Sequence, residues 1–556
     1  VTQRTIRLII ILGGLLLFVP NLGNVHLFDW DEVNFAECAR EMIVTGDYLH
    51  VKIDFAPFHE KPPLFIWLQA ISMLIFGVNE FAARLPNAII GVVTLLVIFN
   101  IGLRLHNARF GLLWVLAYAG SLLPQFYIHS AIIDPLFNLF IFLAIDSLFR
   151  LRDDKRRVYM AGLYAGLAVL TKGPVGWGLI MLTLCVAWLV ERRSYTFPFR
   201  PILIVTLATV LLFGLWLGVD YVQNGPQFVA EHIAYQYRLL TSGEAGHEQP
   251  FYYHTLVVLL GCYPASILFF RAFKPDTTES VQQRAYRLWM IILFAVVMVV
   301  FSIVKTKIVH YSSMTYIPLT FLAAVAIQRW LVGRTEWRFL TKAALTITCI
   351  VWAAVAAAIP LAFMHSEWLL SLPTFRDEFL RASFQQHVSW TGFEPLIAII
   401  LLIGGVTAVV LMRDANKRML SVSVLFGSVT VFVVVFLPFV APRIERYTQG
   451  AAIDFYTSMQ GKQVYVKPLT MKSYAHLFYT HKPYELSATA KGIPVDQWEP
   501  WLLNGTIDHP AYFVSKVNDA RRWRLHQNLK VVGEHGGFVF FERITTSPEL
   551  PPLRSR

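Results

Sequence analysis

The sequence predicts a polytopic α-helical membrane protein of about 13 transmembrane helices followed by a soluble α/β domain. Three observations predict it. Of 556 residues, 56% are hydrophobic and only 15% charged, with mean hydropathy +0.53. That much apolar surface exceeds what a water-soluble core can hide. Long apolar runs recur over the first four-fifths of the chain, whereas composition from Ala441 onward is that of a soluble protein. Finally, Lys and Arg cluster in alternate loops, which also accounts for the net charge of +12 without invoking nucleic acid.

A spanning helix needs about 20 mostly apolar residues. By that rule the candidate spans are Arg7–Pro20, Pro86–Leu103, Phe110–Pro124, Ile133–Phe149, Tyr159–Leu170, Val175–Val190, Ile202–Val219, Thr255–Phe270, Leu288–Val304, Met314–Trp330, Ala343–Phe363, Leu396–Met412 and Val422–Val440. The first is expected to be a retained span, because its apolar run passes into Pro20-Asn21-Leu22-Gly23 with no small-x-small cleavage pattern. Within the loop that follows, residues 21–85, Val33–Ile43 has the pattern of an amphipathic helix and Leu64–Phe76 that of an interfacial helix or half-span. With the N-terminus inside, every inner loop is basic, as in Arg150, Arg152, Lys155, Arg156 and Arg157, or Arg329, Arg334, Arg338 and Lys342. An odd number of spans then puts residues 441–556 outside. There Lys462–Lys467, Ala511–Lys516 and Lys530–Glu542 have strand character, with helix-like stretches such as Met471–Tyr479 between them. The four cysteines show no CxxC pair and no metal-finger spacing.

Chemistry-bearing residues gather at the outer ends. The first loop supplies Asp31, Glu32, Glu60, Lys61 and Arg84; later outer segments supply Asp134, Lys172, Arg238, His247, Lys305, Lys307, His310 and Tyr311. Outer cations run against the topology rule and call for a reason, such as an anionic lipid phosphate. The alternative for each is snorkelling or headgroup contact. Asp31 can serve as a helix cap or as a general base, and Asp134 suits a cap or a cation's partner. Glu60 and His247 are ordinary ligands for a divalent cation, but two separated residues without a third do not define a metal site.

Several phrases carry a family likeness. Asp31-Glu32 after the first span, Phe35-Ala36-Glu37-x-Ala39-Arg40-Glu41-Met42, Glu60-Lys61-Pro62-Pro63 and Phe81-Ala82-Ala83-Arg84-Leu85-Pro86 resemble the bacterial integral-membrane GT-C glycosyltransferases. The nearest groups are the aminoarabinose (lipid A) transferases and the family-39 protein mannosyltransferase-like enzymes. Leu170-Thr171-Lys172-Gly173-Pro174, Gly243-Glu244-x-x-His247-x-Gln249-Pro250-Phe251-x-Tyr253 and Lys305-Thr306-Lys307-x-x-x-Tyr311 are similar to the same group's outer-loop motifs. The chain departs from the aminoarabinose-transferase phrase at Pro62-Pro63-Leu64-Phe65 and at Ile308-Val309-His310.

The resemblance implies a GT-C fold, a polyprenyl-phosphate-sugar donor such as an undecaprenyl phosphate sugar, and an external site that inverts the anomeric carbon. The acceptor would be a lipid A-type glycolipid, a glycan or a protein. It puts the catalytic aspartate on Asp31 and the donor-phosphate lysine on Lys61, with Glu32 and Glu60 as further acids. The chemistry agrees: breaking a sugar C1–O–phosphate bond builds charge on phosphate, which fixed cations stabilise. Lys61, Arg84, Lys172, Arg238, Lys305 and Lys307 are the cations available, Lys61 first and Arg238 next. A monomer in the bacterial inner membrane with a periplasmic site is expected, with no certain cofactor beyond a possible divalent cation. The competing class is a secondary transporter or lipid-sugar flippase, against which stand span middles that are nearly free of charge.

The loop charges generate a prediction about sidedness. Reporter fusions after His59 and after Arg446 should both score external; a cytoplasmic score at either point breaks the proposed geometry.

Overall fold

The computed structural model describes residues 2–191, 198–241, 249–372 and 376–544. Its bundle contains α1 (Gln3–Phe18), α4 (Glu80–Leu105), α5 (Ala108–Ala119), α6 (Leu122–Ile128), α7 (Asp134–Phe149), α8 (Arg157–Lys172), α9 (Val175–Glu191) and α10 (Phe199–Asn224). It continues through α12 (Tyr253–Gly261), α13 (Ala265–Leu268), α14 (Val281–Ile303), α15 (Tyr316–Leu331), α16 (Phe339–Met364), α19 (Ala398–Leu411) and α20 (Arg418–Glu445). Each of the 13 apolar segments therefore falls on helix. Among the described residues six helical stretches are long and apolar enough to cross a membrane alone, and two more spans are bent pairs: α5 with α6 at 74°, and α12 with the helical stretch from Ala265 to Phe273 at 108°. The rest are short, with 16 residues in α1, α7, α8 and α15 and 17 in α9.

Local signals set several boundaries. Asn79 and Asn107 accept from the amides of Ala82 and Phe110, capping α4 and α5, and Ser280 with Gln283 makes a capping box at α14. Gly173, with φ of 98°, ends α8 in a conformation that a side chain would resist.

The first loop carries α2 (Asp31–Thr45), a short hairpin of β1 (Lys52–Ile53) and β2 (Ala56–Pro57), and α3 (Leu64–Phe76). It is one body with the C-terminal part. The boundary expected at 440/441 falls inside helix: α20 runs on through a π-turn at Arg446–Gly450 into α21 (Ala451–Ser458), a stretch of 44 residues from Ala415. Pro438 and Pro442 are accommodated within it.

The sheet beyond has the order β3 (Tyr465–Pro468), β4 (Ala511–Lys516), β6 (Phe538–Arg543), β5 (Leu529–His535). β3 and β4 are parallel, the other pairs antiparallel. The segment expected as one strand, Lys530–Glu542, is a hairpin turning at Gly536 and Gly537, both at positive φ as a two-residue turn of this hand requires. Because strand side chains alternate, Phe513, Val539 and Phe541 pack on Trp498, Leu502 and Trp523 from α24 (Val495–Asn504) and α25 (Val517–Arg524). Val514, Phe538 and Phe540 belong instead to a core shared with Phe35, Ala36 and Phe65 of α2 and α3. Polar ties follow the same seam. Tyr479, on α22 (Ala475–Thr480), accepts from the Leu27 amide at 2.7 Å, Gln449 donates to the Leu27 carbonyl at 2.9 Å, and Lys482 pairs with Asp54.

The loop is pinned to the bundle by Glu32 and Arg84, both buried. Arg84 Nε and one Nη donate to the two Glu32 oxygens at 3.0 and 2.8 Å; its other donors reach the carbonyls of Leu22, Val25 and His26. Glu32 also accepts from the amides of Phe28 and Ala131. All five guanidinium donors and all four carboxylate acceptor positions are thus used. Burial opposes ionisation of Glu32, yet Arg84 and the two amides hold its pKa below the usual glutamate range. The pair has nothing left to offer a substrate. This corrects the expectation that Glu32 is a catalytic acid and Arg84 a phosphate ligand.

Removing either partner leaves a buried charge alone, which costs about 3–5 kcal/mol. Glu32→Gln and Arg84→Ala should each lower the thermal unfolding temperature in detergent markedly. Because the folded pKa of Glu32 is depressed, its contribution is present above the ordinary glutamate pKa and lost as pH falls through the folded value, so the deficit of Glu32→Gln should shrink in acid. Unchanged unfolding temperatures at neutral pH would contradict this assignment.

Candidate active site

Asp31 is the first residue of α2. The cap position is taken by Trp30, and no side chain caps the helix, so a capping role for Asp31 does not describe what is seen. Trp30 has φ of 79°, a conformation that costs a non-glycine residue on the order of 1–3 kcal/mol. It is held there from both sides: Asp29 N donates to Gln449, and the Trp30 carbonyl accepts from Asn34 N at 2.8 Å. The result is an Asp31 side chain 35% exposed, facing a group of charges on other elements.

His310, on the short 3-10 segment Val309–Thr315 ahead of α15, places Nε2 3.5 Å from Asp31 Oδ2 and 3.9 Å from Asp134 Oδ2. Asp134 starts α7, and Lys172 ends α8, so their side chains meet at 2.5 Å at one end of the bundle. The Lys172 ammonium also lies 5.1 Å from the centre of the Tyr311 ring. Asp134 Oδ2 is buried and accepts no hydrogen bond. These contacts bring Asp31, Asp134, Lys172, His310 and Tyr311 into one cluster.

Lys61 lies close enough to Asp31 and Tyr311 for their charges to act on it. Its ammonium is 3.3 Å from the hydroxyl of Tyr235 and 5.1 Å from that ring's centre, and no carboxylate lies within 4.0 Å of it among the described residues. Burial works to discharge it, but the Tyr235 oxygen, Asp31, Tyr311 and Glu60 outweigh burial and raise its pKa, so it stays an ammonium. Its neighbours are fixed by α11 (Gln227–Thr241): His232 Nδ1 is 2.8 Å from the His59 carbonyl and Glu231 is 3.0 Å from His59 Nε2. Glu60 is half-buried beside Lys61 and has no cation within 4.0 Å among the described residues.

The remaining predicted residues are elsewhere. Arg238 is exposed one turn along α11, its guanidinium 5.8 Å from the Tyr235 ring centre. Lys305 is exposed just past α14, and Lys307 is buried and donates to the Val304 carbonyl at 2.8 Å. That bond engages one of the three Lys307 donors with the backbone. His247, and with it the Glu60–His247 cation pairing, lies outside the described residues. Among those described, no three His, Cys, Asp or Glu side chains gather as a metal site. Tyr235 and His232 are contributors that sequence reasoning missed; aromatic residues on an amphipathic helix carry no signal that separates them from packing.

The fold that holds this cluster is the GT-C fold of membrane glycosyltransferases. It matches the crystal structure of ArnT from Cupriavidus metallidurans bound to undecaprenyl phosphate with a TM-score of 0.76, covering 98% of this chain and 99% of that one at 21% identity. The apo form of that protein matches with 0.75. The dolichyl-phosphate-mannose-protein mannosyltransferase family matches over residues 60–216. An undecaprenyl phosphate-alpha-4-amino-4-deoxy-L-arabinose arabinosyl transferase from Pectobacterium atrosepticum is 26% identical over 337 residues. That alignment spans 58% of this chain and 58% of the relative, less than two thirds of its length. The enzyme of the same name from Shewanella sediminis is 25% identical over 68% of this chain and 69% of the relative.

Burial and the ammonium groups of Lys172 and Lys61 lower the His310 pKa against the pull of Asp134 and Asp31, so it is neutral at pH 7. An unfolded chain protonates it at the ordinary histidine pKa. Its contribution to stability is therefore present above that value and lost as pH falls through the folded one. Between pH 7.5 and 5, unfolding temperature should drop more steeply in the wild type than in His310→Asn. Parallel curves would mean the imidazole is not held as described.

Proposed function

We propose that this chain transfers a sugar from a polyprenyl-phosphate donor to an acceptor at the same membrane face, with inversion at the anomeric carbon. The observation that carries the reading is an accessible Asp31 carboxylate near a Lys61 ammonium that has no carboxylate within 4.0 Å among the described residues. A half-buried ammonium with no carboxylate in direct contact suits a phosphate.

In this reading the donor phosphate lies against Lys61 and the hydroxyl of Tyr235. As the C1–O bond breaks, its electron pair passes to the phosphate oxygen, and Lys61 stabilises charge that grows in the transition state. The acceptor oxygen forms its bond to C1 from the opposite face, which inverts the centre. A hydroxyl acceptor gives its proton to Asp31. Neutral His310 orients Asp31 from one side, and Lys172 fixes Asp134, whose unpaired Oδ2 suits an acceptor hydroxyl. Lys172 is in this sense a positioning residue, because its ammonium is already engaged.

The likeness to undecaprenyl phosphate-alpha-4-amino-4-deoxy-L-arabinose arabinosyl transferases favours undecaprenyl phosphate as carrier and 4-amino-4-deoxy-L-arabinose as sugar. A lipid A-type glycolipid is the acceptor we favour, with glycan and protein hydroxyls as the alternatives. The protein would act as a monomer in the bacterial inner membrane, its site and residues beyond 441 on the periplasmic side. The flippase reading is weaker, since Asp31, Asp134 and Lys172 occupy helix ends rather than a midplane pathway.

In assays with undecaprenyl-phosphate-linked aminoarabinose, Asp31→Asn should cost about 10²–10⁴-fold in rate if a hydroxyl is the acceptor, with loss of the acidic limb of the pH profile. A phosphate acceptor is already anionic, and its limb should survive the substitution. Lys61→Ala should weaken donor use for either acceptor. Full transfer by normally folded Asp31→Ala and Lys61→Ala would falsify the assignment.

A further inference from the structure

A second cavity lies at the far end of the bundle. α7 runs away from Asp134 and α8 returns to Lys172, so the end of α7, the start of α8, the end of α9 and the start of α10 share the end opposite the site. Between them is a cavity of about 680 Å³. Leu148, Val158, Leu184 and Ile204 give it apolar walls, and its charged lining is Arg152, Lys155, Arg156, Glu191 and Arg200.

The charges do not balance. Arg152 and Glu191 are bonded to each other, and Glu191 also accepts from the Trp289 indole at 3.2 Å. Lys155, Arg156 and Arg200 are exposed and have no carboxylate within 4.0 Å among the described residues. Three uncompensated cations at the mouth of an apolar cavity call for an amphiphile with an anionic head. α10, which forms one wall, turns Leu203, Leu207 and Leu211 outward, so the cavity borders the bilayer's hydrocarbon. An acyl chain can enter from there without crossing water.

We propose that this cavity holds an anionic glycerophospholipid of the leaflet opposite the active site. Its phosphate lies against Lys155, Arg156 and Arg200, and an acyl chain lies along Ile204 and Leu184. A zwitterionic lipid carries a cation on its own headgroup and cannot compensate three more. The inference does not rest on the proposed glycosyl transfer.

The test uses the full chain in neutral detergent, with phosphatidylglycerol, phosphatidylcholine, undecaprenyl phosphate or glycerol 3-phosphate added, read by thermal shift and by native mass spectrometry. Phosphatidylglycerol should bind and stabilise, and phosphatidylcholine should not. The triple variant Lys155→Ala, Arg156→Ala, Arg200→Ala should weaken phosphatidylglycerol binding about tenfold. The control Arg338→Ala, Arg413→Ala, Lys417→Ala removes three exposed cations from the same end and should leave binding unchanged. Ile204→Trp, which narrows the cavity with every charge intact, should weaken binding as well. Equal loss in the control would reduce the effect to general surface charge and overturn the proposal. So would stabilisation by glycerol 3-phosphate equal to that by the lipid, or preferential binding of undecaprenyl phosphate at this cavity.

Discussion

The end of this molecule that carries the candidate site depends on Glu32 and Arg84 satisfying each other. Either charge alone in that place would be prohibitive, and together they leave no donor or acceptor open. Their partners show what the pair fixes. Leu22, Val25 and His26 are the chain's exit from α1, Phe28 precedes α2, Arg84 belongs to α4, and Ala131 leads into α7. Four chain segments are thereby held to one point. Asp31 is the residue before Glu32, and Asp134 follows Ala131 by three, so the structural pair sets the separation of the two aspartates that face His310.

The same loop is secured from above by the C-terminal sheet. Its lower face is not a surface at all but half of a core shared with α2 and α3. Gln449 bonds twice to the chain just ahead of the strained Trp30, accepting from Asp29 and donating to Leu27. Order at Asp31 thus draws on contacts more than 400 residues away in sequence. The C-terminal part acts on the candidate site by holding its backbone, and among the described residues none of its side chains pairs with His310, Asp134 or Lys172.

Much of this was legible in the sequence because the strongest signals are long and local. The apolar segments are helices, the first loop contains the two expected helices, and Asp31, Lys61, Asp134, Lys172, His310 and Tyr311 lie together at one end. What was hidden concerns pairing. Arg84 and Lys61 look alike as expected outer cations, yet one is consumed by a glutamate 52 positions away and the other has no carboxylate within 4.0 Å among the described residues. Sequence order has no term for that choice. Lys307 was misjudged for the same reason, since its backbone partner is set by a local turn. The boundary near Ala441 was placed where the composition becomes that of a soluble protein, but a helix can leave the hydrocarbon without ending. The run Phe538-Val539-Phe540-Phe541 did carry a usable signal: apolar residues on both faces of a strand mean a sheet covered twice.

The shortness of α7 and α8 has a consequence for the bilayer. Sixteen residues at 1.5 Å each make about 24 Å, against a hydrocarbon thickness of about 30 Å. α7 is almost enclosed by the bundle, but α8 turns Tyr159 and Leu163 outward, so a membrane beside α8 must thin to meet its polar ends or leave Lys172 beneath the level of its surface. Either arrangement sets the candidate site below the level of the undisturbed bilayer surface. In the proposed reaction, a phosphate carried on a long isoprenoid chain would then reach Lys61 by sliding sideways at its natural depth, with no need to be lifted out of the lipid.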